Sequence, residues 1–249
     1  MNQRLVIEDL VIIIAAKNHS SLILNPDFLK CSGIIPKDWK LARQPISNNS
    51  FARLDFSNGI AISAESNRVV FIEPIADKKI ESLQIAEIAR KYTQALPNME
   101  FEAVGINFRG YVPFVGSHDA ARTYINKTLL SPGAWQEEGE ASVQASLNLV
   151  YKLNRTSFNL SVNEGTWLQD DETKTPIVMF TGSFSYEVSG ETEAQKLSSL
   201  HQSLENWQTD LQTYSDIISN KFMAKMQFDT VRIPDTVAIS DIFPMSVTP

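Results

Sequence analysis

Polar and apolar residues alternate in steps of two over three stretches in the second half of the chain. Val143, Ala145, Leu147, Leu149, Tyr151 and Leu153 are interleaved with Gln144, Ser146, Asn148 and Lys152. Phe158, Leu160 and Val162 alternate with Ser157, Asn159 and Ser161. Beyond a polar loop from Gln169 to Thr175, the apolar positions are Val178, Phe180, Phe184, Tyr186 and Val188. A period of two gives each strand one dry face and one wet face, the mark of antiparallel sheet. It predicts that Leu147, Leu149, Phe158, Leu160, Phe180, Phe184 and Tyr186 all face the main core.

The first half mixes strands with helices. Leu5 to Ala16 is rich in Val and Ile and reads as a buried strand. Glu8 and Asp9 interrupt it, so it does not read as a secretory leader, and it is too short for a bilayer span of about 20 residues. The segment 19–45 holds Pro26, Pro36 and Pro45 and predicts a long structured loop with one helical turn at Pro26–Leu29. Phe51–Phe56 and Ile60–Ala64 flank Asn58-Gly59, a strong hairpin signal because a tight turn needs positive φ. Arg68–Glu73 follows as a third strand. The period then changes: Leu83, Ala86, Ala89, Tyr92 and Leu96 step by three and four and predict an amphipathic helix ended by Pro97. Phe101–Val115 predicts a long strand bent or bulged by Gly105, Gly110 and Pro113. A helix from His118 to Leu130, capped by Ser117, comes next.

A helix without Gly or Pro runs from Thr192 to about Ala224. Its positions Leu197, Leu200, Leu204, Trp207, Leu211, Tyr214 and Ile218 form a heptad seam. About 33 residues span about 50 Å, whereas a four-stranded sheet is only about 15–20 Å across. Core packing along its own sheet is the first reading of the seam, and the length adds a second, that part of it overhangs the sheet and meets a partner. The last stretch, 229–249, is apolar and spaced by prolines, and predicts an extended segment lying on a surface. Expected partner contacts are Leu204, Trp207, Leu211, Tyr214, Ile239 and Phe243.

These elements predict an α+β chain of mainly antiparallel sheets. Each half reads strand, strand, strand, helix: 1–116, then 117–228, then the tail 229–249. The expected duplication is topological, since the halves share no convincing residue identity. Without a Pro/Gly/Ser linker between them, their sheets should pack together or fuse.

Composition narrows the function classes. The 249 residues are 43% hydrophobic and 20% charged, which describes a globular chain. A net charge of −7 argues against nucleic acid or an anionic membrane surface as partner. The single cysteine, Cys31, precludes an internal disulfide and suggests a reducing, cytoplasmic setting. His19, His118 and His201 lie far apart in sequence, so no metal and no cofactor are expected. Asp170-Asp171-Glu172 lacks the glycine and ligand spacing of a calcium loop and reads as a solvated hairpin tip. Gly105–Gly110 has neither the spacing nor the Lys-Ser/Thr of a phosphate loop. Arg109, Tyr111 and Glu164 are the candidates for the polar lining of a site assembled from scattered residues; the plain reading of Arg109 is a wet-face charge.

One family resemblance is carried by Leu197-Ser-Ser-Leu200-His201, Trp207 and Ile217-Ile218-Ser-Asn-Lys-Phe222, together with Val104 to Gly110 in the central strand. Over about 40 residues this is similar to an uncharacterised bacterial family of about the same chain length. The resemblance implies duplicated β-rich halves and a terminal helix with a Leu-His pair, and it implies no activity. The function expected from the residues is a non-enzymatic protein acting through protein contacts, either self-associating or as part of a larger assembly. The alternative is a small-molecule-binding or hydrolytic protein.

Overall fold

The computed structural model describes residues 4–168 and 173–224. Nine strands form one antiparallel sheet: β1 (Val6–Ala16), β2 (Ile46–Ser47), β3 (Phe51–Asp55), β4 (Ala61–Glu65), β5 (Arg68–Pro74), β6 (Phe101–Pro113), β7 (Leu147–Lys152), β8 (Ser157–Leu168) and β9 (Lys174–Glu187). Their spatial order is β2-β3-β4-β5-β1-β6-β9-β8-β7. The helices are α1 (Pro26–Cys31), α2 (Ile85–Gln94), α3 (Ala120–Tyr124), α4 (Glu193–Glu205) and α5 (Trp207–Ile217). π turns extend α3 over Ile125–Leu129 and α5 over Ile218–Phe222.

All five helices lie on one face of the sheet. The Tyr92 ring of α2 meets Phe71 of β5 and Phe28 of α1, Tyr124 of α3 meets Phe114, and Tyr214 of α5 meets Phe108 of β6. On α4, His201 reaches Thr93 of α2. The alternating residues turned to the helices make the core: Leu10, Ile12 and Ile14; Ile106 and Phe108; Phe158 and Leu160; Phe180 and Phe184. Of the seven positions that periodicity assigns to the core, Phe158, Leu160, Phe180, Phe184 and Tyr186 are buried. Leu147 and Leu149, on the outermost strand, are half-buried against the same cluster.

Local chemistry fixes the helix starts. The Asn25 side chain accepts from the Phe28 N–H at 2.8 Å, with Pro26 opening α1. Thr192 and Gln195 cap each other at the start of α4. The buried Glu73 carboxylate of β5 accepts the N–H groups of Gln84 and Ile85 at 2.9 Å and pairs with Lys78 at 3.0 Å, tying the start of α2 to the sheet.

Four expectations need correction. The cap of α3 is not Ser117: the helix starts at Ala120 after Asp119, and Ser117 accepts the Ala120 N–H on its carbonyl and hydrogen-bonds the Asp119 side chain. The bulge expected near Gly110 falls on its neighbour instead, since the β1 register skips Glu8 between Ile7↔Gly110 and Asp9↔Arg109; β6 has its own irregularity near Glu102. The C-terminal helix is interrupted at Asn206, whose N–H reaches back three residues to the Ser203 carbonyl. It does not overhang a narrow sheet either. Nine strands at about 4.8 Å spacing make a floor roughly 38 Å wide, and both α4 and α5 rest on β6, next to its central strand β1. The acidic tip 170–172 and the tail 229–249 lie outside the described residues.

Candidate functional site

The seam of the C-terminal helices faces its own sheet. Leu204, Leu211 and Tyr214 are buried in this chain's core, and Trp207 is half-buried against it. Of the two readings of the seam the structure shows core packing for these residues: the nine-stranded sheet already occupies the face expected to meet a partner. Ile239 and Phe243 lie outside the described residues.

Tyr214 explains two glycines. Its ring lies over Gly182 of β9, where a Cβ would come within 2.6 Å of it, and its hydroxyl sits 3.0 Å from where a Cβ of Gly110 would be. That hydroxyl donates to the Phe180 carbonyl at 2.8 Å. Burial raises its pKa far above the ordinary tyrosine value, so it stays a donor. One turn earlier, buried Asp210 accepts from Tyr186 Oη and from Arg155 at the tip of the β7–β8 hairpin, at 2.6–2.9 Å. Arg155 also lies over the Phe184 ring. This cluster fastens α5 to the sheet.

The three candidates for a scattered polar site do not converge. Arg109 lies on the face without helices and pairs with Asp9 and Glu8 of β1, which bears out its plain reading as a wet-face charge. Tyr111 lies on that face too, beneath Trp167, with ring centroids 5.5 Å apart. Glu164 is on the opposite face, in register with Phe158, Leu160 and Val162, where Arg122 of α3 grips it at 2.7 and 2.9 Å. That carboxylate raises the Arg122 pKa. A polar cleft of about 330 Å³ surrounds the pair, lined also by His118, Asp119, Gln144 and Thr166. Its volume is at the low end for a ligand site.

Among the described residues, no group of three or more His, Cys, Asp or Glu could hold a metal ion, and no helix is long and apolar enough to cross a membrane.

The second sheet face is the largest feature of the molecule that sequence reasoning missed. Among the described residues no helix packs on it. At its centre sit half-buried Val11, Ile13, Val70 and Ile72. Toward β7 it becomes a field of small polar groups, including Asn107, Ser161, Asn163, Thr181 and Ser183. Two large apolar side chains stand out on it: Val150, 66% exposed, and Trp167, 45% exposed. The signal was present in the sequence, because Val150 occupies a wet position between Asn148 and Lys152 and so breaks the alternation. No protein-family model and no curated protein matches the chain.

Proposed function

We propose that this chain is a non-enzymatic subunit that works through protein contacts, with itself or with another subunit. The observation that carries this reading is the face of the nine-stranded sheet that no helix of the described residues covers, with Val150 and Trp167 exposed on it. Large exposed apolar side chains next to a broad flat surface favour association. Light scattering on the full-length chain over a wide concentration range tests it. The expected mass exceeds 27.9 kDa, that of one chain; a particle that stays at that mass throughout contradicts it.

The second reading is a small-molecule-binding or hydrolytic protein, and the Arg122–Glu164 cleft is the observation that favours it. A ligand there would have to break a bidentate ion pair, so it would be zwitterionic or carry both a donor and an acceptor. A screen of such metabolites by thermal shift tests this: stabilisation of the wild type but not of Arg122→Gln supports it, and no stabilisation counts against it.

The finer architectural reading is a duplication with its boundary near residues 95–100 rather than at 116. Supporting it, β1, α1, β3–β5 and α2 are followed in the same order by β6, α3, β7–β9 and α4. Each long strand, β1 or β6, pairs with the last strand of its own meander, and the two long strands pair with each other.

A further inference from the structure

β7 ends the sheet on one side. At its hairpin the Leu153 N–H donates to the Thr156 carbonyl at 3.0 Å, and the register continues Tyr151↔Phe158, Leu149↔Leu160 and Leu147↔Val162. Hydrogen-bonded pairs alternate along an antiparallel ladder. The odd-numbered residues of β7 therefore turn their N–H and C=O groups toward β8, and Asn148, Val150 and Lys152 turn theirs outward. This open row has no proline and only one charge, the usual devices that blunt an edge. The strand is also half-covered on its core side, where Leu147, Leu149, Tyr151 and Leu153 remain partly exposed.

We propose that a second copy of this chain adds along β7, antiparallel, about a two-fold axis at Val150, and so joins two nine-stranded sheets into one. The inference rests on the self-association reading above and names its surface. β7 is self-complementary about that axis. Val150 faces its own copy and Asn148 faces Lys152, so no like charges meet, and the three outward residues of each chain form six ladder hydrogen bonds. On the core side Leu149 meets Tyr151 and Leu147 meets Leu153, which closes the half-covered end of the hydrophobic core. The opposite end of the sheet is β2, only two residues long. With a single long open edge among the described residues, the addition closes at two copies instead of growing into a fibre.

Full-length protein tests this by light scattering, paired with circular dichroism. The wild type is expected at twice 27.9 kDa. Val150→Pro removes an outward N–H that β8 does not use, so it should return the mass to one chain with the spectrum unchanged; Val150→Lys, which sets two charges face to face, should do the same. Register is read by cross-linking with oxidised glutathione in a Cys31→Ser background. Val150→Cys should give a disulfide-linked dimer, since the paired Cα atoms lie about 5.5 Å apart. Asn148→Cys should not, because its copies lie about 14 Å apart along the strands. A wild-type dimer that survives both Val150→Pro and Val150→Lys overturns the β7 inference and leaves self-association standing through another surface. A wild type that remains a single chain at every concentration overturns both.

Discussion

Tyr214 shows how a single side chain dictates sequence far from itself. Its ring and hydroxyl fill space that Gly110 and Gly182 leave open on neighbouring strands, and at Gly110 the Val6 carbonyl also comes within 2.6 Å of where a Cβ would sit. Backbone cannot yield as a side chain can, so Gly110→Ala should destabilise the protein by about 1–3 kcal/mol, read from urea unfolding. Tyr214→Phe leaves the packing intact and removes one buried hydrogen bond, so its cost should be nearer about 1 kcal/mol. In the sequence Gly110 signalled only a bend, because nothing local reveals that a tyrosine from a helix lies across it. His19 is a second case. Its Nδ1–H donates to the Glu65 carbonyl at 3.2 Å, so Nε2 is left to accept the Tyr92 hydroxyl at 2.7 Å, which requires a neutral ring. Burial holds its pKa below the usual histidine value. Above about pH 6.5 the ring is neutral in both folded and unfolded chains. As pH falls below that, the unfolded chain takes up the proton first, and stability is lost until the lowered folded pKa is passed. The stability advantage of wild type over His19→Gln should therefore shrink between pH 7.5 and pH 5.5 in paired urea titrations. A constant gap would contradict this account of His19.

At the scale of elements, strands were more legible than the long helix. Alternation identified the core faces of β7, β8 and β9, because a period of two is a direct record of which side is dry. The heptad seam was read correctly as a stripe and wrongly as an overhang. Helix length was weighed against half a sheet, whereas pairing of β1 with β6 fuses the halves into one floor. The interruption at Asn206 was not legible, since Asn is tolerated at a half-buried helix position and nothing in its neighbours marks a break. What holds α5 in place is the Asp210 cluster. Removing Arg155 leaves a buried carboxylate with Tyr186 alone, so Arg155→Met should cost about 3 kcal/mol, somewhat less if water reaches the site past the part-exposed arginine. Adding Asp210→Asn should recover much of that loss, because the amide oxygen still accepts from Tyr186 and no charge remains to be paired. Thermal unfolding of the single and double variants checks the order; a double variant less stable than Arg155→Met would mean that the cluster does not work through charge.

At the scale of the whole molecule, the sheet carries helices on one face and, among the described residues, none on the other. The helix stripe on which the sequence placed partner contacts is core, so the proposed association needs another surface. The proposal rests instead on Val150, an apolar residue at a wet position of the strand that ends the sheet among the described residues. Amide exchange reads that surface directly. Deuterium uptake of the full-length chain should slow over residues 147–153 as concentration rises, while β1 and β6 at the sheet centre exchange at the same slow rate throughout. Uptake over 147–153 and across the uncovered face that is identical at every concentration would contradict the account.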